Sequence, residues 1–242
     1  MRYLAVTGIW APTGRYVGFD LEIIYRILKD GLILVEMTGK PYGDFCQVLP
    51  RIGVCFEMNS RFQNVSWYGR EIEENYSDRK AHCNLGYYSL PVEEMNFIYD
   101  IPQECGTRTE TSFVRVADQD GGLSVIGSDQ FSFSYHDFAQ DDLVCARHRN
   151  ELKKAEKNYL SIDYRIRGLG SHSCGPNPEE CYELRAHDFR FAFALTAETE
   201  AEKLLELSRK DFGAKTEQLS QTYVRERQER KVGKMECDIN RE

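Results

Sequence analysis

The residues predict an all-β protein, a large antiparallel sandwich. Short alternating or apolar runs fill the chain up to about residue 196, turn-forming residues punctuate them, and two runs carry aromatic side chains at every second position. The first clear element is a hairpin. Residues 21–28 and 32–37 are rich in β-branched side chains and flank Asp30-Gly31, a dipeptide favouring a primed turn that matches strand twist. Further along, residues 118–122 combine acidic side chains with Gly121 and Gly122 and read as a surface turn. Phe131, Phe133 and Tyr135 then alternate with serines, presenting one apolar face to a core. Residues 140–157 read as a polar, partly helical connection, and 159–167 as a strand. Phe189, Phe191, Phe193 and Leu195 alternate with Arg190, Ala192 and Ala194, which gives a second aromatic strand.

With 242 residues, 41% of them hydrophobic, the chain can bury a core without disulfides, and a single domain is the default. Its 31 basic and 39 acidic side chains leave a net charge of -8, which argues against electrostatic capture of nucleic acid or of an anionic membrane. No run approaches a membrane span, and the opening MRYLAVTGIWAPTGRYV lacks a signal peptide's apolar stretch and cleavage site, so a cytoplasmic location is expected. The eight cysteines form no CxxC pair and are expected to be mostly free thiols. The composition changes beyond residue 196. Residues 197–242 hold 11 acidic and 10 basic side chains, against 28 and 21 in residues 1–196, so the acidity belongs to the body. Within this tail Leu204, Leu205, Leu207 and Phe212 lie at roughly helical spacing, which predicts a short helix that frays into disorder, the competing reading being a helix docked on a partner chain.

Chemistry is harder to place by residue type. Glu73, Glu74 and Asp78, or Asp141 and Asp142, are charged neighbours that read as surface turns, because acid–base carboxylates must face each other across a substrate. His82 with Cys83, or His172 with Cys174 and Cys181, lack the paired spacing of structural zinc ligands, and no metal site is expected. GxSxG, P-loop, GxGxxG and HExxH motifs are absent from the sequence. The segment Gly168-Leu169-Gly170-Ser171-His172-Ser173-Cys174-Gly175-Pro176 stands apart. Its small residues let a loop approach a ligand closely, or it is simply a long connection.

Several motifs then fall in one order. Trp67-x-Gly69, Glu74-Asn75-Tyr76-Ser77-Asp78-Arg79, Leu90-Pro91, Pro102-x-Glu104-x-Gly106-x-Arg108, His148-Arg149, Ile162-Asp163 and loop 168–176 together resemble the C-terminal domain of glycoside hydrolase family two β-galactosidases, carried in some members on a separate small chain. The resemblance spans about residues 18–196 and implies a supersandwich of the galactose-mutarotase-like type. Domains are accordingly drawn at 1–196 and 197–242. The family domain begins earlier than Met1, so its leading strands are expected to be missing and an edge or apolar face exposed. Two departures stand out: Arg70-Glu71-Ile72 replaces the usual Gly-Pro turn after Gly69, and Cys105 replaces an asparagine.

By this resemblance the chain holds no catalytic residue. The two catalytic glutamates of a retaining enzyme and its magnesium ligands would lie in a barrel domain outside this sequence, so the chain alone is expected to be inactive and needs no cofactor of its own. Its implied role is to cover the barrel's active site and shape the aglycone side of a galactoside such as lactose through Ser171, His172, Ser173 and Cys174. Cys174 stands where the best-known members place a tryptophan platform, and a thiol offers no ring face for a sugar. The alternative is a free-standing carbohydrate-binding module or a mutarotase-like aldose epimerase, which would need His148 paired with Glu104 or Asp163 across an open cleft. Against catalysis, His148 is expected to be a buried histidine bonded within the core. A third reading is scaffolding with no sugar contact.

Overall fold

The computed structural model describes residues 2–45, 48–170 and 177–210. Among these, ten strands run antiparallel to their neighbours: β1 (Arg2–Trp10), β2 (Gly18–Ile27), β3 (Ile33–Tyr42), β4 (Arg51–Asn59), β5 (Asn64–Arg70), β6 (Leu85–Pro91), β7 (Arg108–Ala117), β8 (Gly122–His136), β9 (Lys157–Ile166) and β10 (Phe189–Thr196). The order β1-β2-β3-β10-β8-β7-β5-β6 makes a long layer, and β4-β9 attaches to β8 as a second, shorter one. Strand β8 joins the two because it changes neighbour along its length: Ser124–Gly127 pair with β10, whereas Ser132–His136 pair with β9. The layers meet face to face, as shown by the Phe56 ring of β4 lying edge-on to Phe193 of β10, 6.3 Å between centroids.

The core between the layers is the aromatic one that the alternating runs predict. Trp67, Phe131, Phe133, Phe189, Phe191 and Phe193 are all buried there with Val65, Val114, Leu160 and Ile162. Loop 118–122 is the expected turn, closed by Asp118 Oδ1 accepting from the amides of Asp120 and Gly121. The connection after β8 is partly helical, with helix α1 (Gln140–Cys145).

The hairpin between β2 and β3 is present, but its turn is not the primed two-residue one. Leu28 donates to Leu32 across the neck and Gly31 donates to Leu28, so Lys29, Asp30 and Gly31 form a three-residue loop. A type I′ turn needs positive φ at both central residues, and here Gly31 alone has it, at 85°. Aspartate therefore stays in its preferred region and only glycine takes the left-handed conformation.

Helix α2 (Ala201–Ser208) is the short helix that the leucine spacing predicts, packed here rather than frayed; Phe212 and the rest of the tail lie outside the described residues. Leu204 is fully buried against Leu32, Leu34, Phe113, Ile126 and Ala194 on the outer face of the long layer, forming a second apolar cluster. Each of those strands carries apolar residues of both parities, such as Val125 inward and Ile126 outward, so the layer has an outer apolar patch for the helix to cover. At the far end, β1 is an edge strand with Leu4, Val6, Ile9 and Trp10 exposed.

Candidate functional site

The separated motifs meet on the outer side of the short layer. Strands β8 and β9 turn Ser132, Ser134, His136, Ser161 and Asp163 to that side, away from the aromatic core, and all five are buried. Loop 92–107 reaches this side through Asn96, bonded to His136, and through Glu104, bonded to the Arg51 that also approaches Asp163, while loop 71–84 is tied to it by the bonds that follow.

Hydrogen bonds stitch these loops together. Asn75, fully buried, accepts from the Thr109 amide at 2.9 Å and its hydroxyl at 2.6 Å, and donates to the Glu73 carbonyl at 3.0 Å. Glu74 accepts from the Gly106 amide at 2.8 Å and also from Tyr99 and Arg79. Arg108 is buried with its guanidinium over the Trp67 ring, 5.7 Å from the centroid, and donates to the carbonyls of Ile72, Met95 and Gly106. Burial lowers its pKa to about 10, a cost offset by those carbonyls and by Glu74. Glu74 is thus a structural anchor rather than a free surface charge, which corrects the surface-turn expectation for it.

Deeper in, Arg51 donates to Glu104 at 3.0 Å and lies 3.8 Å from Asp163. Burial pushes the Asp163 carboxyl up to about 7, against the pull of Arg51 and with help from Glu104. Burial also holds His136 down at about 3, so it is neutral, with Nδ1 on the Asn96 amide oxygen. The two departures from the motif pattern are absorbed locally. Arg70 bonds Glu110 at 2.8 Å, and the Trp67 indole donates to the Arg70 carbonyl at 2.8 Å, which holds the turn without Gly-Pro. Cys105 is buried with its thiol pushed up to about 12, an inert side chain.

Asp78 links this layer to the glycine-rich loop. Its carboxylate accepts from the amides of Leu169 at 3.3 Å and Gly170 at 2.8 Å. A Cβ on Gly168 would stand 2.7 Å from the same carboxylate, so the close approach requires glycine there. On the far side, Arg167 donates to the Asn177 side chain at 3.0 Å. Asp78 is therefore a loop anchor, again not a plain surface charge. The candidate residues Ser171, His172, Ser173 and Cys174 themselves lie outside the described residues.

His148 is not brought to the site. It is exposed, on the residue before a short 3₁₀ turn, rather than buried in the core, and it makes no bond to Glu104 or to the buried Asp163. The intervening segment 140–157 is polar and stays outside the core, and His136 is the buried histidine instead. The His–carboxylate pair required for a mutarotase is thus not assembled by these residues. Asp141 and Asp142 are exposed at the start of α1. Among the described residues no three His, Cys, Asp or Glu side chains gather to hold a metal; His172 and Cys174 fall outside them. Cys55, Cys83, Cys105, Cys145 and Cys181 are free thiols, and no helix among the described residues is long and apolar enough to cross a membrane.

Comparison with known proteins gives a consistent result. Residues 4–195 match the family described as "Beta galactosidase small chain". The β-galactosidase of Actinobacillus pleuropneumoniae is 33% identical over 180 residues, 72% of this chain and 17% of that protein. That of Kluyveromyces lactis is 34% identical over 196 residues, 78% of this chain and 18% of that protein. The Vibrio cholerae β-galactosidase is 37% identical over 146 residues, 60% of this chain and 14% of that protein. The chain thus spans less than a fifth of the curated relatives it matches.

Proposed function

Since the chain belongs to the β-galactosidase small-chain family, we propose that it acts as the non-catalytic C-terminal domain or small subunit of a β-galactosidase, working with a barrel-bearing chain or domain. The observation that carries this reading is the match over residues 4–195 to under a fifth of relatives that are whole β-galactosidases. Retaining glycosidases need two carboxylates about 5–5.5 Å apart on either side of the scissile bond. The acidic groups of the polar layer are committed elsewhere: Glu74 to the Gly106 amide, Glu104 and Asp163 to Arg51, Glu110 to Arg70 and Asp78 to the loop. Catalytic glutamates and any magnesium then belong to the barrel, and no step on this chain runs through a metal.

The chain's own contribution is positional. Asp78 accepts from the Gly170 amide before residues 171–176 and Arg167 donates to Asn177 after them, and the contribution assigned to Ser171, His172, Ser173 and Cys174 between these contacts is to shape the aglycone side of the barrel's active site. With Cys174 in place of an aromatic platform, the aglycone of lactose or another galactoside is held mainly by polar contacts.

The test assays a chromogenic galactoside with this chain alone and with a matching barrel-bearing chain. Activity is expected only from the pair, and hydrolysis by the isolated chain would overturn the proposal. In the assembled enzyme, Cys174→Trp is expected to tighten acceptor binding. Unchanged acceptor affinity would leave the domain as scaffolding without sugar contact.

A further inference from the structure

The long layer overhangs the short one. In one row of its inner face Val35, Tyr25 and Leu4 lie side by side on β3, β2 and β1, and in the next row so do Met37, Ile23 and Val6. Along both rows burial runs out. Val35 and Met37 are each 4% exposed and Tyr25 and Ile23 are half-buried, whereas Leu4 and Val6 are 57% and 48% exposed. The cause lies in the other layer, which among the described residues consists of β9 and β4 alone, so that β4 ends it with one edge unpaired.

One step thus leaves two groups open: the ladder edge of β4, and an apolar overhang whose outermost strand, β1, has a free edge of its own. Unpaired edges beside an apolar face are association sites. The rest of the sequence offers no cover of that size, since the longest apolar alternation in residues 211–242 is Met235, Cys237 and Ile239. A second copy fits, because the step is self-complementary. When two copies are related by a two-fold axis, their overhangs lie face to face and β1 of each extends the short layer of the other beside β4, which pairs all the open edges of the two steps. Side-chain parity agrees with this. Leu4, Val6 and Trp10 share the inner face with Tyr25, Ile23 and Phe19, as Ile52, Phe56 and Met58 of β4 face the same core, so one apolar surface continues across the junction. From Leu4 to Trp10 and from Phe19 to Tyr25 no inner-facing residue is charged, so two chains of net charge -8 meet there without opposing like charges. Nine residues of strand and a width of two strands give each copy an overhang of about 30 Å by 10 Å. With two new ladders added, the buried surface approaches the ~1,200 Å² at which specific interfaces begin.

We propose that this chain forms a two-fold dimer by interlocking the β1–β2 overhang of each copy with the free β4 edge of the other. The dimer does not depend on a barrel-bearing partner, so the isolated full-length chain is the material to test.

Sedimentation of the full-length chain at micromolar concentration is expected to give twice the mass of one chain, with amide exchange in both β1 and β4 slowing as the dimer forms. Val6→Lys places a charge on the inner face at a position that is half exposed in the single chain, so the fold should survive while the dimer dissociation constant rises roughly hundredfold. Thr7→Lys, on the opposite face of the same strand, should leave the dimer intact. A chain that stays monomeric would overturn the proposal, and protection of the same amides only on adding a barrel-bearing chain would give the step to that chain instead. Association beyond two copies would contradict the two-fold closure. Protection of β1 without β4 would overturn the interlock, and equal disruption by Val6→Lys and Thr7→Lys would overturn the assignment to the inner face.

Discussion

Strand β8 buries both of its faces over residues 131–136, and the two are buried by different means. Phe131, Phe133 and Tyr135 enter an apolar core shared with the opposite layer, whereas Ser132, Ser134 and His136 are buried on the other face, where His136 is bonded to Asn96 of loop 92–107. Apolar packing is non-directional, so many aromatic and aliphatic combinations fill such a core at similar cost. A buried polar group tolerates only partners at the correct distance and angle, so that face fixes residue identity far more tightly. The motifs Glu74–Arg79 and Pro102–Arg108 both fall on the polar side, where identity is geometrically constrained.

The largest expected effect breaks the apolar side. Trp67 is fully buried, packs 5.7 Å from Phe133 and 5.8 Å from Tyr88, and donates its indole N–H to Arg70. Trp67→Ala should cost about 3–5 kcal/mol by chemical denaturation. Asn75→Ala tests the polar side. It strands the buried Thr109 amide and hydroxyl, and about 2–3 kcal/mol of destabilisation is expected. Asn75→Leu, close in size but unable to accept, should not recover it, whereas a volume-conserving change in the core should largely be tolerated. Equal recovery on both sides would remove the distinction between them.

A pH series sharpens the comparison, because Asp163 and His136, whose shifts fall in the acidic range, both lie on the polar side. Asp163 has its folded pKa raised from 3.8 to about 7, so the folded state binds more protons than the unfolded one between those values, and stability falls as pH rises through that window. His136 has its folded pKa lowered from 6.5 to about 3, so here the unfolded state binds more protons and stability rises with pH over that range. Where the windows overlap, the two contributions cancel. Asp163→Asn should therefore reveal a positive slope of stability with pH, and His136→Gln a negative one, each about 1 kcal/mol per pH unit. Urea denaturation midpoints between pH 4 and 6.5 would read both slopes; identical profiles in the two variants would contradict the opposed assignment.

The same contrast decides what is legible in the sequence. Alternation of Phe189, Phe191 and Phe193 with small or polar residues identifies a core strand, because period-two burial follows directly from strand geometry. Alternation also marks Ser132 and Ser134 as polar, but whether a polar face meets water or a loop cover depends on contacts between distant segments. Asn75 and Ser134 illustrate it: one lies in a loop and the other in a strand, and nothing local distinguishes them from exposed residues. Glu74 and Asp78 were legible only as members of a motif resemblance, which carries the three-dimensional constraint that residue type lacks. The turn at Gly31 was legible as a turn but not in its type, because loop length depends on where the ladder between β2 and β3 closes.

The smallest expected effect on stability lies at the rim of the polar layer, where Asp78 is half-exposed. Its two oxygens accept from Leu169 and Gly170, and an asparagine amide keeps only one acceptor. Asp78→Asn should therefore cost about 0.5–1 kcal/mol, less than the change at Asn75 because water can solvate the freed amide. In the assembled enzyme the same substitution loosens one end of loop 168–176. If that loop shapes the aglycone side, acceptor affinity should fall while hydrolysis of a galactoside with a small leaving group is largely unaffected. Gly168→Ala forces the same carboxylate aside from the opposite direction, since its Cβ would stand 2.7 Å from Asp78. Two substitutions on opposite sides of the contact should then share one phenotype, a raised acceptor KM at nearly constant stability, and divergent phenotypes would show that Asp78 acts through something other than the loop.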